Sequence, residues 1–307
     1  MSEFQLYKKR DFSAFMSDTL QFFKQFWKNY FRNYVVINGA LLLLMCVTYF
    51  LVFKDMIKNL YTPGAPAGSW LTSNSNPVLM GGGILLFLAV IMVLSVFTTA
   101  FPMVYLKLLR TKGEESFTSS EIFRGIKSYA GRMIGFGFIS LVVLLPMGIV
   151  VFGIGAALSI IIIGIPMLLL ALPTFMIWTM QILYVYLEEE LPYFDALRKG
   201  WKITFDNYWH VVGSTMVTAM FVMIVGSIFT MVPSIMSLSS IITSGGHPKP
   251  MVMTPVVLVL YIFGMIFSYV TYNILYVQQG LVYYSSQENS VNYQAFSEVD
   301  SIGSDEE

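Results

Sequence analysis

The sequence predicts an all-α, polytopic membrane protein: six transmembrane helices with three interfacial amphipathic helices on the cytoplasmic side, arranged as three helix-plus-hairpin units. Three observations carry this. Of 307 residues, 56% are hydrophobic and only 12% charged, with a mean hydropathy of +0.69, against about 25% charged residues in ordinary soluble domains. Six apolar runs are long enough to cross about 30 Å of hydrocarbon at roughly 1.5 Å per helical residue. Lys and Arg gather on one of the two alternating sets of connections.

The first element is the stretch "FSAFMSDTLQFFKQFWKNYFRN" (residues 12–33), with eight aromatic residues and four charges. Its apolar side chains fall at 12, 15, 16, 20, 22, 23, 26, 27, 30 and 31, the spacing of a helix with one apolar face, while Ser13, Ser17, Asp18, Gln21, Lys24, Gln25, Lys28 and Arg32 fill the other. Such a helix suits the membrane interface. Lys24, Lys28 and Arg32 would face anionic lipid, each contributing about 1 kcal/mol near the surface, with Trp27, Tyr30 and the phenylalanines at the headgroup boundary. Its simplest role is to stabilise insertion and pack on the bundle; the alternative is lipid sensing or partner docking.

The six spans are expected at about 34–53, 78–105, 133–153, 158–185, 211–233 and 255–282. Residues 133–187 hold 55 positions without one charge, too long for one crossing and enough for two, so a tight reversal is expected at the Gly153–Ala157 stretch, where glycines permit it. Pro102, Pro146, Pro166 and Pro173 lie in or near spans, where kinks are expected.

Two further amphipathic segments precede hairpins. Phe117-Thr118-Ser119-Ser120-Glu121 has capping-box spacing, with Thr118 as N-cap, Glu121 at N3 and Phe117 with Ile122 as a hydrophobic staple. The third begins near Pro192, with Phe194, Leu197, Trp201, Phe205, Tyr208 and Trp209 on its apolar stripe and Arg198, Lys199 and Lys202 beside it. Trp201 and Trp209 join Lys24, Trp27, Lys28 and Arg32 as expected interfacial lipid contacts. The units then run at about 11–106, 117–187 and 192–285 within a single integral membrane domain, 1–285. Residues 286–307 carry six acids and no Lys or Arg, which reads as a disordered acidic cytoplasmic tail.

Orientation follows from the basic residues. Fifteen fall on the N-terminal arm and the second and fourth connections, and three (Lys54, Lys58, Lys249) on the other set, which places both termini in the cytoplasm. Ala65-Pro66-Ala67 mimics a signal-peptidase site, but it lies behind Lys54 and Lys58 and after a long amphipathic arm, so no cleavage is expected.

The stretch "LEEELPYFDALRKGWKITFDNYWHVVG" (residues 187–213) resembles the signature of bacterial six-span proteins related to the membrane domain of glycerophosphodiester phosphodiesterase and the YciC-like family, in which a glutamate-ended fourth helix leads into an interfacial helix. The C-terminal tail is similar to those of Bacteroidota members, with Glu298-Val299 in place of the usual lysine and isoleucine. The resemblance implies this fold and a location in the bacterial inner membrane. The family's activity is largely uncharacterised, and this chain has no phosphodiesterase domain.

Chemistry-bearing residues are few. No Asp, Glu, Lys, Arg or His falls within a span core, although proton relays, coupled carriers and intramembrane proteases use such buried groups. His210 and His247 are expected on opposite sides of the membrane, and Cys46 is the sole cysteine; a catalytic, metal or cofactor site is not expected. Asn38, Thr98, Thr99, Gln181, Thr218, Ser268, Thr271 and Asn273 read first as interhelical packing residues, and alternatively as the lining of a polar path. The sharpest cluster is Glu188, Glu189 and Glu190 at the end of the fourth helix, with Arg198, Lys199 and Lys202 shortly after. Carboxylates there are opposed by the helix dipole, so the bases are expected to compensate them; a cation or partner site is the alternative. Two functions remain open: a non-catalytic protein organising lipid or a membrane complex, or a carrier or pore for an uncharged or lipid-like amphiphile. The partners expected are membrane lipid and a neighbouring membrane protein, with no nucleic acid.

Overall fold

A computed structural model describes residues 4–60, 77–113, 116–160, 162–243 and 255–291. The expected outer connections at 62–75 and 244–250, with Trp70 and His247, lie outside the described residues, as do 292–307 of the acidic tail. Among the described residues the ordered elements are helices and no strand occurs. They are α1 (Phe12–Leu60), α2 (Pro77–Lys112), α3 (Ser119–Ser159), α4 (Gly164–Glu188), α5 (Tyr193–Asp206), α6 (Tyr208–Thr243), α7 (Pro255–Thr271) and α8 (Asn273–Val291).

Six helical stretches are long and apolar enough to cross a membrane, and α7 with α8 supplies the sixth. The chain is a multi-pass membrane protein. Its apolar windows are poorly covered by protein, only 17% buried in α3, because residues such as Val142, Ile149, Leu169 and Met223 point outward. That is the reverse of a soluble helix, whose apolar stripe turns inward.

The first two amphipathic segments continue without a break into the spans they precede. Nothing between Phe12 and Leu60 interrupts α1, a 49-residue helix about 74 Å long, more than twice the hydrocarbon thickness. In α3, the capping box forms as the sequence predicts: Thr118 Oγ1 accepts from the Glu121 backbone N–H, and Glu121 accepts from the Thr118 N–H at 2.9 Å, with both staple residues, Phe117 and Ile122, buried. Only the third segment is a separate helix, α5, ended at Asn207, whose backbone (φ −129°, ψ 51°) leaves the helical region.

The reversal between the third and fourth spans comes later than the glycines suggest. Helix α3 runs through Gly153 and Gly155 to Ser159, and the left-handed residue is Ile162, at φ 69°. Gly155 serves close approach instead, since a Cβ there would meet Leu168 Cδ2 at 2.4 Å. In the sixth span, the Asn273 side chain donates to the carbonyls of Tyr269 and Val270 at 3.0 and 3.1 Å. By taking carbonyls of the preceding turn it competes with the helical ladder, and α7 gives way to α8 at Tyr272. Helix α8 then continues to Val291, past the expected start of the tail, with Glu288 buried.

Packing divides the chain into two compact units, each drawn from several helices. One comprises Met1–Asn33, Thr99–Met220 and Ile274–Glu307, the other Tyr34–Thr98 and Phe221–Asn273. The second unit is held by rings and backbone carbonyls: Phe229 meets Phe263 at 4.6 Å and Phe267 at 5.0 Å, Tyr34 OH donates to the Tyr269 carbonyl, and Ser268 Oγ donates to that of Gly226. Cys46 is a buried free thiol in this unit, as packing requires.

In the first unit, α5 lies against α4. Gly200 makes this possible: a Cβ there would stand 2.8 Å from the Ile182 backbone nitrogen. Trp178 Nε1 donates to the Leu197 carbonyl, and the Trp178 and Trp201 rings meet edge to face at 5.2 Å. Because the obstacle is backbone, G200V is expected to cost about 1–3 kcal/mol through overpacking. G131A, on an open part of α3 where a Cβ meets nothing, is expected to be neutral or slightly stabilising. Thermal unfolding of the two variants in detergent checks this.

Candidate functional site

The acidic triplet ends α4, and its side chains fan apart because successive helical positions differ by about 100° and Glu190 adopts a left-handed backbone at φ 56°. Glu188 is sealed inside the first unit, with its side chain 1% exposed. It faces Lys107 Nζ at 3.6 Å and Arg110 NH1 at 3.5 Å and accepts a hydrogen bond from Tyr129 OH, which itself receives one from Lys107 Nζ at 2.6 Å. Glu189 receives Lys199 Nζ at 2.6 Å, Gln287 Nε2 at 2.6 Å and Tyr283 OH at 3.1 Å. Glu190 stays in the open, 3.6 Å from Arg132 NH1, while Arg132 NH2 donates to the Tyr186 carbonyl at 2.7 Å.

The expected pairing of the triplet with Arg198, Lys199 and Lys202 is therefore corrected: of these three bases, only Lys199 reaches an acid of the triplet among the described residues. The other cations come from α2 and α3. The triplet works as a three-way staple, tying the end of α4 to α2 and α3, to α5 and α8, and to α3 again.

Arg198 and Lys202 turn elsewhere. Helix α5 shows three faces. Tyr193, Ala196, Gly200 and Ile203 are buried against protein; Phe194 and Trp201 are exposed on an apolar face continued by Phe205. On the third face, Asp195, Arg198, Lys199, Lys202 and Asp206 line a cleft of about 720 Å³ whose other walls are Arg10 and Phe15 of the N-terminal arm and Ser285, Ser286, Gln287 and Asn289 of α8.

The arm is fixed by its own chemistry. Arg10 Nε donates to Asp18 Oδ2 at 2.9 Å and its NH1 to the Leu6 carbonyl, while its backbone N–H donates to Ser285 Oγ at 3.1 Å. Burial lowers the Arg10 pKa and the Asp18 charge opposes that shift; the guanidinium is wholly enclosed. Asp11 caps α1, its Oδ1 accepting the Ala14 N–H at 2.8 Å, a bond that lowers its pKa.

The remaining expected residues separate by place. Lys24, Trp27, Lys28, Arg32, Trp201 and Trp209 are all exposed, Trp27 and Trp209 by 52% and 68%. Asn38, Thr98 and Thr271 donate to carbonyls of their own helices, and Asn273 of α8 donates to carbonyls of α7. Gln181 bridges helices, its Nε2 donating to the carbonyl and side chain of Gln279, whose own Nε2 reaches Thr215 Oγ1 at 3.1 Å. Gln278, with both side-chain polar atoms buried and unbonded, and Gln279 escaped the sequence reading because "VQQG" lies at the end of an apolar run without a charge; two adjacent amides at that depth were the available signal. No protein-family model, curated protein or solved structure matches the chain.

Proposed function

We propose that this multi-pass membrane protein is non-catalytic and organises lipid in the bacterial inner membrane, with both termini in the cytoplasm and a neighbouring membrane protein as its second class of partner. The observation that carries the reading is α5: one face docks on protein, one presents exposed aromatics, and the third lines a cleft of ionic and hydroxyl groups. That division suits a helix at the boundary between hydrocarbon and headgroups. The exposed Trp27, Lys28 and Arg32 of α1 add to it, as does the resemblance to the YciC-like family in the same stretch.

The test is purification in mild detergent with mass spectrometry of the lipids and proteins that accompany the chain. Reproducible enrichment of lipid over a control membrane protein supports the reading; none overturns it. Orientation has its own test. Reporters fused after Glu307 or within 110–116 are expected to behave as cytoplasmic and those within 62–75 or 243–250 as external, and an external C-terminus would refute the assignment.

A second reading, a carrier for an uncharged amphiphile, is favoured by one observation, the buried amides of Gln181 in α4 and of Gln278 and Gln279 in α8. Carriers need polar groups inside the bundle. Solute flux in proteoliposomes that is abolished by Q278L while the fold survives would favour it over the lipid-organising reading.

A further inference from the structure

We propose that the cleft beside α5 holds the zwitterionic headgroup of an ethanolamine-type phospholipid, phosphate on Arg198 and Lys202, ammonium on Asp206. This rests on the lipid-organising reading and names its ligand. Of the cations on the cleft, Arg10 is committed to Asp18 and Lys199 to Glu189. Arg198, Lys202, Asp195 and Asp206 line the same cleft and have no hydrogen bond or ion pair among the described residues. The uncommitted charge is thus two positive and two negative, which suits a ligand carrying both signs better than a simple anion.

Position on the helix separates the two acids. Asp195 stands in the first turn of α5, where the positive end of the helix dipole stabilises a carboxylate. Asp206 is the last residue of the helix, where the dipole opposes it, so its charge is explained by neither helix nor ion pair. Arg198, Lys202 and Asp206 follow at intervals of four, about 6 Å apart along the axis on one face, the order in which a phosphate followed by a two-carbon link to an ammonium would meet them. Two basic side chains supply charge-assisted donors to phosphate oxygens, and a carboxylate accepts ammonium N–H groups. Across the cleft, Ser286 and Asn289 add neutral polar groups. The adjoining face bears exposed Phe194 and Trp201, which places acyl chains next to the headgroup and argues for a lipid over a soluble phosphoamine.

The experiment uses the full chain in mild detergent, titrated separately with short-chain phosphatidylethanolamine, phosphatidylcholine and phosphatidylglycerol and with water-soluble phosphoethanolamine, reading bound lipid by intact-complex mass spectrometry. Phosphatidylethanolamine is expected to bind about tenfold more tightly than the choline lipid, which lacks N–H donors, or the glycerol lipid, which lacks the ammonium; that is the size of one charge-assisted hydrogen bond. D206N is expected to erase the preference for ethanolamine over glycerol lipid, and R198Q with K202Q to weaken both. Asp206, Arg198 and Lys202 are exposed, and unchanged thermal unfolding shows that these variants fold. Equal binding of all three lipids, or a preference untouched by D206N, overturns the headgroup assignment and leaves the lipid-organising reading standing. Absence of any bound lipid overturns both. Competition by free phosphoethanolamine as strong as by the lipid overturns the lipid as source.

Discussion

Replacing Glu188 with alanine is expected to destabilise the protein by about 3 kcal/mol, the low end of the range for removing one partner from a buried charge cluster. The low end applies because Lys107 and Arg110 keep 38% and 34% of their side chains exposed and rehydrate once the acid is gone, whereas Tyr129 loses its acceptor. E188Q, which keeps the volume and one acceptor oxygen, is expected to cost about 1–2 kcal/mol. The three acids form a graded series. E189A removes three partners from a side chain 21% exposed, and about 1–2 kcal/mol is expected; E190A touches a side chain 78% exposed, and a change within about 0.5 kcal/mol is expected. Thermal unfolding in detergent ranks them. Equal losses at all three positions would contradict the staple, as would rescue of E188A by neutral residues at Arg198 and Lys202. Neutral residues at Lys107 and Arg110 are expected to reduce the loss, since they remove the charges left behind.

The sequence-based pairing failed for Glu188 because spacing along one chain predicts only partners on the same helix or across a short turn. Arg110 and Glu188 are brought together by the packing of α2 on α4, which no local pattern encodes, while Glu189 and Lys199 flank one turn and were within its reach. Where the signal was local, it held: Thr118 and Glu121 form their reciprocal cap, and the six apolar runs match six candidate spans because crossing length depends on composition alone. Glycines were ambiguous for a physical reason, since the missing Cβ permits both a turn and a close approach; Gly155 and Gly200 use the second. The stretches Trp27-Lys28-Asn29-Tyr30-Phe31 and Phe205-Asp206-Asn207-Tyr208-Trp209 are alike in pattern, and their structures show the same limit. Asn29 stays inside α1 and donates to the Phe117 carbonyl at 3.1 Å, whereas Asn207 ends α5. Similar residues meet different neighbours and take different backbones.

The aromatic crowding of the N-terminal arm has two destinations, and one pair of substitutions separates them. Tyr30 is wholly buried, edge-on to Phe101 at 5.0 Å and to Tyr105 at 4.9 Å, with Phe22 at 5.6 Å; Tyr105 in turn meets Phe117 at 5.1 Å and donates to Asn29 Oδ1. This cluster locks the start of α1 to α2 and to the entry of α3, and Asn33 tightens it by donating to the Phe117 carbonyl at 3.0 Å. Y30A is therefore expected to cost about 3–5 kcal/mol, the range for deleting a buried aromatic ring, with loss of the paired-ring contribution included. Trp27, three positions earlier and 52% exposed, has no such cage, and W27A is expected to leave thermal unfolding in detergent within about 0.5 kcal/mol. In bilayers the gap narrows if Trp27 anchors the interface: W27A then lowers stability in lipid but not in detergent, while Y30A is damaging in both. A Y30A protein as stable as wild type would mean that the arm is held by lipid and not by the ring cluster, since burial this complete leaves the side chain nowhere to relax without opening a cavity.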